Sequence, residues 1–543
     1  MNFYHDQQRD LLIYEGTSPL ILQAIPEARQ INGSFFAVPR SLRNSQILRY
    51  FNYPVAPVIT DENYDWPIEP GRKPLEHQKM MANFHILHRR CFNLSDMGTM
   101  KTLAALWAAD WLMMQHLPDT CRLLVVCTLS TMNRTWANAI ATNFLGRRSF
   151  QILHHSNASM RRKLLEKPAD IYIINADGIG VGAHTRKRFE LDGFSKDLAE
   201  RDDIKQVVVD ECSFYRDAST KRHRIARLVI GKKPYLIEMT GTPTPNKPTD
   251  AHGLAKLMNN AFGKSFNTLR TETMIQVSNF VWKPKKDGYD IARRLLTPSI
   301  RFDIKDVWDG PEMTTQQREV PLTEQQVKLM ADLKRDLQVM VRQGSPITAA
   351  NEAAARQKFL QISMGAIYDE RHKVHLIDAR PRLAELREVI EQAPGKLLIF
   401  AGLTSVVELL YKELGPRKDA RGQLIHPGWS REIVNGNVSQ KERARIFQAF
   451  QSEPNPRLLI ADPGTMAHGL DLYAAQTVVW YGPTDKTELY LQANKRAHRP
   501  GQKHPVTVVQ IVSNKLEREI FHRLETNTTL QGALLDMVRK GEL

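Results

Sequence analysis

Short apolar runs alternate with longer amphipathic stretches along most of the chain. The runs are rich in β-branched residues and include LLVVC, DIYIIN, QVVVDE, YLIEM, KLLIFAG, RLLIAD, TVVWYG and VTVVQIV. Such runs, separated by stretches of helical periodicity, are typical of parallel strands that helices cover on both faces. The pattern therefore predicts an α/β fold whose ligands bind at the carboxyl ends of the strands.

Two interruptions of this pattern divide the chain into four segments. Residues 1–65 contain short alternating stretches such as SFFAVP and one helical candidate, SLRNSQILRYF, so they predict a small α+β module. Residues 306–380 carry long helical periodicities and predict a helical protrusion or linker. The rest of the chain forms two α/β lobes, residues 66–305 and residues 381–543. The first of these lobes begins with a Pro-rich stretch.

The stretch SDMGTMKT, residues 95–102, joins the apolar-leaning CFNL to the amphipathic run LAALWAADWLMM. A Gly-containing turn followed by Lys-Thr and a helix is typical of phosphate binding, because turn amides and the positive helix end face the anion. Lys101 would then reach the outer phosphates, and the Thr102 hydroxyl would bind Mg²⁺. The usual pattern, GxxxxGK(S/T), has Gly where this chain has Ser95 and Met100. A plain helix N-terminus with a solvated lysine is the alternative interpretation.

Two later strand ends carry the other groups that nucleotide hydrolysis needs. QVVVDECS ends in Asp210, which would hold Mg²⁺ through water, and Glu211, which would polarise the attacking water. YLIEM runs into TGTP, where Thr240 and Thr242 flank a flexible Gly241 and would link a γ-phosphate site to a neighbouring surface. Solvated strand ends and ordinary turns use the same residue types, so each segment alone is open to a structural interpretation.

Three further candidates lie outside these strand ends. Gln78 offers an amide that both donates and accepts, as recognition of an adenine edge requires. Arg496 and Arg499 are three residues apart, which places both on one helical face if the helix persists, where they would neutralise phosphate charge. Gly469 and Asp471 follow a strand in ADPGTMAHGLDL, a loop that allows close approach of the backbone to a nucleotide. An exposed glutamine and a solvated basic face are the alternatives.

Composition points to a polyanionic partner. The 75 Lys and Arg against 59 Asp and Glu give a net charge of +16 and a pI near 9.5, which favours nucleic acid without distinguishing DNA from RNA. No run of 18 apolar residues occurs, and the first residues lack the layout of a signal peptide, so we expect no membrane insertion. The four cysteines have no metal-ligand spacing and are interpreted as reduced packing residues of a cytoplasmic protein. They are Cys91, Cys121, Cys127 and Cys212.

Six motifs, taken together, resemble one family. DMGTMKT, VVVDECS, MTGTPTPN, VNGNVSQKERARIFQAF, GLDL and QANKRAHRPGQ occur in the order and spacing of the Swi/Snf-related ATPases of helicase superfamily two. The match spans roughly residues 74–515 and is most similar to the compact forms found in bacteriophages and bacteria. The resemblance implies two RecA-like parallel-sheet lobes, with ATP in the cleft between them and duplex DNA crossing both. The helical segment would correspond to the protrusions of this family.

The resemblance also assigns roles by position. Gln492, Arg496 and Arg499 would form the sensing and arginine-finger segment, and Gly469 and Asp471 would lie in the cleft. In the first lobe, Gln78 would recognise adenine, and the phosphates would be held by Gly98, Thr99, Lys101 and Thr102. Mg²⁺ would be held by Thr102 and Asp210, and the acidic pair would be Asp210 and Glu211. Hydrolysis would be coupled to DNA by Thr240, Gly241 and Thr242.

The chain departs from the family pattern at a few positions. Met100 replaces a Gly that normally lies against the phosphates, Lys495 replaces the usual Gly or Asp, and DECS replaces the commoner DEAH. No departure removes a group that performs chemistry, so activity is expected to survive. The segment AIPEARQINGSFFAVPRSLRNSQILRYF is similar to the module that precedes the motor in annealing helicases of the HARP type, which suggests binding at forks or junctions.

The sequence thus predicts an ATP-driven translocase on double-stranded or branched DNA, acting in remodelling, branch migration, annealing or protein displacement. Two alternatives stay open: a nucleotide-gated DNA-binding module with weak hydrolysis, and a strand-separating helicase on DNA or RNA. ATP and Mg²⁺ are the expected ligands. No protein partner is indicated, and a monomer is the default for this motor class.

Overall fold

The computed structural model describes residues 3–6, 8–181, 191–245, 247–278, 281–342, 349–368, 373–419, 421–466 and 472–526. The chain folds into two compact units. The first unit comprises Met1–Thr244, Pro248–Thr273 and Lys286–Val307, and the second comprises Pro245–Lys247, Met274–Lys285 and Trp308–Leu543.

A small antiparallel sheet begins the first unit. Its four strands have the order β1-β2-β4-β3, and the alternating pattern of β2 and β4 buries Leu12, Tyr14, Phe36 and Val38. The Tyr14 ring stacks on Phe36 with centroids 5.2 Å apart. The elements are β1 (Phe3–Asp6), β2 (Leu11–Glu15), α1 (Pro19–Ala24), β3 (Arg29–Asn32), β4 (Phe35–Pro39) and α2 (Leu42–Tyr50).

The main sheet of the first unit has seven parallel strands in the order β13-β5-β10-β9-β6-β8-β7. Successive residues of β6 feed different hydrophobic clusters: Leu123 and Val125 join one, and Leu124 and Val126 join the other. Both faces of the sheet are therefore covered, which explains the unbroken apolar runs. The strands are β5 (Arg90–Asn93), β6 (Arg122–Cys127), β7 (Phe150–Ile152), β8 (Ile171–Asn175), β9 (Ile204–Asp210), β10 (Tyr235–Met239) and β13 (Ser299–Ile300).

Helices cover this sheet, and several begin at side-chain caps such as Thr128, Asn157 and Thr220. A π-helical segment, Met132–Ala137, lies between α5 and α6. The helices are α3 (Glu76–His88), α4 (Lys101–Gln115), α5 (Leu129–Thr131), α6 (Asn138–Asn143), α7 (Ala158–Glu166), α8 (Gly193–Glu200), α9 (Lys221–Val229), α10 (Ala251–Asn259), α11 (Phe266–Thr273), α12 (Gly288–Leu295) and α13 (Ile304–Val307).

The second unit has a six-stranded parallel sheet in the order β14-β23-β22-β17-β21-β20. Strand β14 has the polar sequence MTTQQRE, is mostly exposed and pairs with β23 at the edge. The apolar pattern did not indicate this strand. The sheet strands are β14 (Met313–Glu319), β17 (Lys396–Phe400), β20 (Arg431–Val434), β21 (Leu458–Ala461), β22 (Ala475–Trp480) and β23 (Val506–Val512).

Seven helices and three antiparallel hairpins accompany this sheet in the described part of the second unit. The hairpins pair β11 (Met274–Ser278) with β12 (Val281–Pro284), β15 (Ala366–Tyr368) with β16 (Val374–Leu376), and β18 (Arg417–Lys418) with β19 (Leu424–His426). The helices are α14 (Glu324–Arg342), α15 (Ala349–Met364), α16 (Arg380–Gln392), α17 (Thr404–Glu413), α18 (Gln440–Ser452), α19 (Thr487–Ala497) and α20 (Lys515–Glu525).

The predicted fold class is confirmed: two parallel-sheet lobes with helices, and a small α+β module at the start. Long helices α14 and α15 lie within the stretch predicted to be helical, and the segment boundaries themselves stay a prediction. All four cysteines are free and buried. Among the described helices, none is long and apolar enough to cross a membrane.

Candidate nucleotide site

Three neighbouring strands of the first unit end at the predicted nucleotide site. Strand β10 lies between β5 and β9, and all three run parallel, so the segments that follow them share one edge of the sheet. Two hydrogen bonds join these segments: Thr240 N–H donates to the Asn93 carbonyl at 3.2 Å, and the Thr240 hydroxyl donates to Glu211 Oε1 at 2.8 Å. Thr240 thus contacts both the end of β5, which leads into the predicted phosphate turn (residues 95–102), and the acidic pair (Asp210 and Glu211).

The phosphate turn is held in place by a later part of the chain. Asp96 N–H donates to the Phe302 carbonyl at 2.9 Å, and Phe302 N–H donates to the Ser95 hydroxyl at 3.1 Å. Ile304 N–H donates to Asp96 Oδ2 at 3.4 Å. The strand pair β13-β5 continues into these contacts, so the turn keeps its shape through residues about 200 positions away in sequence.

Inside the turn, Gly98 and Thr99 set the path of the backbone. Gly98 has φ +87°, a left-handed conformation that favours glycine. Thr99 is fully buried, its hydroxyl donates to the Asp96 carbonyl at 2.8 Å, and its own carbonyl is 3.1 Å from His77 Nε2. These contacts fit Gly98 and Thr99 as the framework of the turn, whereas their contact with phosphate stays a prediction.

Lys101 and Thr102 open α4, a helix of 15 residues. The Lys101 ammonium donates to the Ser95 carbonyl and, at 3.0 Å, to the Asp96 carbonyl, so it lies within the turn rather than in solvent. Burial raises the pKa of Glu211, and the Lys101 charge opposes that rise, so the turn and the acidic pair interact electrostatically. The alternative of a solvated lysine at a plain helix end is therefore not what the structure shows.

Met100 occupies the N-cap position of α4 with φ +58° and ψ +36°. This left-handed region costs a residue with a Cβ about 1–2 kcal/mol, and the family pattern has Gly at this position. Met100 is 37% exposed, so its side chain is not packed into the core. The substitution is thus accommodated with the glycine-like backbone retained and the side chain partly at the surface.

We expect Met100→Gly to stabilise the protein. Relief of the left-handed conformation, offset in part by the larger loss of backbone freedom of glycine, gives a net gain of up to about 1 kcal/mol in the free energy of unfolding. Met80 provides a matched control, since it is 56% exposed within the regular helix α3, where Gly costs about 1 kcal/mol. Denaturant unfolding of both variants measures the difference. Equal losses would contradict this account, and tighter ATP binding by Met100→Gly would show that the methionine obstructs the phosphates.

The acidic pair ends β9, with a supporting residue that the sequence interpretation missed. Trp136 Nε1–H donates to Asp210 Oδ2 at 2.9 Å, and the Trp136 side chain is fully buried. Trp136 lies in the π-helical segment that follows β6, the strand beside β9, and π-helical turns are frequent at functional sites. The rule that neighbouring parallel strands end at one edge, applied to β6, would have pointed to this segment.

We expect Trp136→Phe to raise the Mg²⁺ concentration needed for half-maximal ATP hydrolysis. The indole N–H orients the Asp210 carboxylate, and loss of such an orienting hydrogen bond typically costs about 10- to 100-fold in metal affinity. Trp107→Phe is the control, because Trp107 is also fully buried and its indole donates to the Pro67 carbonyl at 2.7 Å, away from the acids. If both variants shift the Mg²⁺ requirement equally, Trp136 only supports the fold.

Glu211 has an unusual backbone and an elevated pKa. Its φ of +57° turns the chain sharply after Asp210. Burial raises the pKa of Glu211 and the Asp210 charge adds to this, while the Thr240 hydrogen bond and the Lys101 charge oppose it. A carboxylate with a raised pKa is a better proton acceptor near neutral pH than an ordinary Glu, as a water-polarising role requires.

The pH dependence of hydrolysis should report this shift. The deprotonated form of Glu211 is lost as the pH falls through its folded-state pKa, so kcat should decline at a higher pH than the ordinary value of 4.5 implies. Thr240→Val removes a hydrogen bond that lowers the pKa of Glu211, so this variant should move the acid limb of kcat further toward neutral pH. An unchanged acid limb in the variant, measured under saturating ATP, would contradict the assignment.

Gln78 lies against the phosphate turn. It is only 1% exposed; its Oε1 accepts from Leu75 N–H at 3.2 Å, and its Nε2 donates to the Met100 carbonyl at 3.4 Å. The interpretation of Gln78 as an exposed glutamine is therefore wrong. It caps α3 and ties this helix to the turn, whereas its recognition of adenine stays a prediction.

The predicted coupling segment (Thr240, Gly241 and Thr242) is also packed on the phosphate turn. A Cβ added to Gly241 would lie 3.4 Å from Met97 N, and Thr242 N–H donates to the Thr240 hydroxyl at 3.2 Å. Thr240 therefore bonds at once to the acidic pair, to the end of β5 and to its own loop. This position suits a residue that transmits a change at the nucleotide, although transmission itself stays a prediction.

The candidates of the second unit have a different geometry from the one expected. Helix α19 ends at Ala497 and His498 is extended, so Arg496 lies in its last turn whereas Arg499 lies beyond it. The expectation that spacing places both arginines on one helical face is wrong because the helix does not persist. Pro500 disfavours helical backbone at Arg499, and the buried Gln502 stabilises this end, since its Nε2 donates to the carbonyls of Ala497 at 3.1 Å and Ala475 at 2.8 Å.

The other second-unit candidates differ in what is known of them. Gln492 and Arg496 are buried, at 1% and 6% exposure, and Gln492 Nε2 donates to Glu488 Oε1 at 3.3 Å. Gly469 and Asp471 lie outside the described residues. The sensing and arginine-finger roles therefore rest on the resemblance alone.

The donor set at the sheet edge fits a nucleotide with Mg²⁺. The first amides of α4 and the Lys101 ammonium suit phosphate oxygens, and the Thr102 hydroxyl with the Asp210 carboxylate supplies the hard oxygen ligands that Mg²⁺ prefers. When bound, Mg²⁺ would neutralise charge on the phosphates. In the described residues, no group of three or more His, Cys, Asp or Glu side chains could hold a metal ion.

Two family models match the chain. A model of the SNF2-related domain matches residues 77–373, and a model of the helicase conserved C-terminal domain matches residues 381–501. The chain is 23% identical over 348 residues to the putative ATP-dependent helicase/translocase YwqA of Bacillus subtilis, covering 61% of this chain and 35% of that protein. It is 24% identical over 372 residues to a probable chromatin-remodeling complex ATPase chain of Oryza sativa, covering 65% and 32%.

A solved structure also resembles the chain. The Sulfolobus solfataricus SWI2/SNF2 ATPase core in complex with dsDNA is 19% identical, with 88% of this chain and 95% of that chain covered and a TM-score of 0.37. The chain spans about a third of the length of the two curated relatives given above.

Proposed function

The chain belongs to the SNF2-related family, and from this premise we propose that it is a DNA-dependent ATPase of helicase superfamily two that moves along double-stranded or branched DNA. The observation that carries the proposal is the hydrogen bond from the Thr240 hydroxyl to Glu211 Oε1 beside the Lys101 turn. It joins the group that would polarise water to the segment that would couple hydrolysis to DNA. Neither a storage role nor a purely structural role for this edge requires that connection.

In the proposed reaction, Glu211 accepts a proton from the attacking water, as its raised pKa favours. Lys101 and the first amides of α4 hold the transferring phosphoryl group and offset its charge. Asp210, which Trp136 orients, and Thr102 would hold Mg²⁺. Each role belongs to a side chain already placed at the carboxyl edge of the sheet.

For the second unit, we propose that Gln492, Arg496 and Arg499 form the segment that senses the γ-phosphate, with the two arginines neutralising its charge, as the resemblance implies. Guanidinium groups bind phosphate oxygens in a bidentate manner and stay charged at all working pH values. The same argument from resemblance assigns Gly469 and Asp471 to nucleotide contact. Lys495, the departure next to Arg496, adds a further positive charge to this segment.

DNA is proposed as the track for two reasons. The net charge of +16 favours a polyanion, and Lys and Arg contacts to phosphates give a grip that does not depend on base sequence. For the amino-terminal module with strands β1–β4, we propose a HARP-like contact with forks or junctions, supported by its α+β fold and its short sequence similarity.

The test is ATP hydrolysis measured with no nucleic acid, single-stranded DNA, duplex DNA, forked DNA and RNA, with Lys101→Ala as the inactive control. We expect duplex or forked DNA to stimulate hydrolysis most. Displacement of a triplex-forming strand without separation of the duplex would then identify translocation.

Other outcomes favour the alternatives. ATP-dependent DNA binding with hydrolysis that no DNA accelerates would indicate a nucleotide-gated binding module. Separation of duplex strands would indicate a helicase. Selective stimulation by RNA would show that the protein acts on RNA rather than on DNA. Absence of any stimulation together with absence of nucleotide-dependent binding would reject the motor.

A further inference from the structure

A strongly basic cleft of about 1150 Å³ lies in the first unit, apart from the nucleotide site. Seven Lys and Arg side chains contribute to its wall, and the lining formed by the described residues contains no Asp or Glu. Its two histidines add no charge at neutral pH: burial lowers the pKa of His88 to about 4 and lowers the pKa of His223. The positive charge of the cleft is therefore permanent.

The cleft lies at the edge of the sheet opposite the phosphate turn. Arg90 is the first residue of β5 and Pro234 immediately precedes β10, and both line the cleft. The phosphate turn and the Thr240 segment instead follow the last residues of these same strands. Because the strands are parallel, the two sites occupy opposite ends of one rigid sheet.

Two of the seven cations are used by the fold. Arg90 donates to the carbonyls of Met258, Lys233 and Leu257 at 2.9, 2.6 and 3.0 Å. The Lys233 ammonium donates to the carbonyls of Ala199 and Arg201 at 3.1 and 2.7 Å. These residues form a fixed, positively charged wall.

Four of the other five cations are presented outward. Arg89, Arg227 and Lys232 are exposed and Lys256 is half-buried. The Arg89 guanidinium lies over the Tyr235 ring, 5.3 Å from its centroid, and none of these four residues forms an ion pair in the described part of the chain. Unpaired cations gathered in one concave surface are unusual for a purely structural role, since surface charges are normally interspersed in sign.

Helix ends explain only part of this charge. The carboxyl ends of α3 at His88, α9 at Val229 and α10 at Asn259 all border the cleft and attract cations. Each helix end carries about −0.5 of an elementary charge, or about −1.5 for three, against the four full positive charges that face outward. Most of the positive charge is left for an external ligand.

We propose that this cleft binds the phosphate backbone of a second nucleic-acid segment, while the proposed motor acts on the first. The inference rests on the proposed function, because it assigns a second contact to the same DNA-binding protein. A duplex carries one negative charge per about 1.7 Å of its axis, so a cleft of this size faces several phosphates at once. An acidic peptide fits less well, because docked peptides need apolar anchors and Leu228 is the one large apolar side chain of the described lining that is exposed.

A capture experiment with two duplexes tests the proposal. One duplex is immobilised, full-length protein is bound, and retention of a second, labelled duplex is measured with and without ATP. The cleft variant combines Arg227→Gln, Lys232→Gln and Lys256→Gln. The matched control, Lys163→Gln with Lys167→Gln and Lys196→Gln, removes three exposed charges from the same unit outside the cleft.

Wild-type protein and the control variant are expected to retain the second duplex, and the cleft variant is expected to lose at least about tenfold of that retention. Removing three phosphate contacts should also reduce the slope of log affinity against log salt by about 2 to 3 for the second duplex. Basal ATP hydrolysis should be unchanged, because none of the three positions lies at the nucleotide edge.

Several results would overturn the inference. These are failure of wild-type protein to hold two duplexes, retention by the cleft variant equal to wild type, and an equal loss in the control variant. Competition by polyglutamate at concentrations where unlabelled duplex does not compete would assign the cleft to an acidic protein segment instead. Intact two-duplex capture without DNA-stimulated hydrolysis would reject the motor and keep the cleft, so the two failures are distinguishable.

Discussion

Replacement of Glu211 by Gln is expected to leave ATP binding intact and to slow hydrolysis by about 10²- to 10⁴-fold, the usual contribution of a positioned general base. Glutamine keeps the shape of the side chain and can still accept the hydrogen bond from the Thr240 hydroxyl. It cannot accept a proton from water. The variant should therefore bind fluorescent ATP with near wild-type affinity while its kcat falls.

The control for Glu211→Gln is Glu166→Gln, which changes an exposed carboxylate of the same unit at the end of α7. This control should hydrolyse ATP at the wild-type rate. A Glu211→Gln variant that keeps more than about a tenth of wild-type kcat would exclude Glu211 as the general base. Asp210 would then be the next group to consider, since it adjoins Glu211 at the strand end.

The second large effect is expected for Lys101→Ala, which should weaken ATP binding and reduce hydrolysis by about 10²- to 10³-fold, the typical cost of removing one preorganised charge-stabilising donor. Lys101 already lies inside the turn, bonded to the carbonyls of Ser95 and Asp96, so a bound phosphate would meet a cation in place. Its removal also deletes a charge that lowers the pKa of Glu211, and that pKa should rise further.

Measurement of both ATP affinity and kcat separates the two variants. Lys101→Ala should raise the Kd for ATP, whereas Glu211→Gln should not. Lys163→Ala, on an exposed face of α7, controls for loss of one positive charge. Wild-type affinity in Lys101→Ala would show that SDMGTMKT is an ordinary helix start, and the assignment of the nucleotide site would fail.

The two variants also separate binding from chemistry in the DNA experiments. If nucleotide binding alone controls the grip on DNA, Glu211→Gln should behave as a trapped, ATP-bound form and Lys101→Ala as a nucleotide-free form. If hydrolysis is required, both should fail to displace a triplex-forming strand. Thr240 bonds to both Glu211 and the end of β5, so we expect its segment to differ between the ATP-bound and nucleotide-free forms.

The predicted candidates of the first unit rested on local signals that a single sequence carries well. Gly98, Lys101 and Thr102 form a contiguous turn, and Asp210 with Glu211 follows an unbroken apolar strand. Such signals are local, because backbone conformation and burial of one strand depend mainly on neighbouring residues. What local signals could not show is that these segments meet, because that depends on β10 lying between β5 and β9.

Residues missed by the sequence interpretation act through distant contacts. Trp136 supports Asp210 from 74 positions away, and Phe302 holds Ser95 from about 200 positions away. Strand β14 has no apolar pattern, because it is a polar edge strand whose Gln317 amide bonds to Gln510 at 2.8 Å. Hydrophobic periodicity reports burial, and an exposed edge strand is stabilised by backbone pairing that leaves little trace in composition.

By itself the sequence determined the α/β class, the two lobes, the phosphate turn and the acidic strand end, because apolar periodicity and turn chemistry are local properties. Tertiary structure alone decided that Met100 takes a glycine-like backbone and that Gln78 is buried against the turn. It also gathered the cations of α9, α10 and the start of β5 into one cleft. These outcomes depend on strand order and on hydrogen bonds between segments far apart in the chain, which no local pattern encodes.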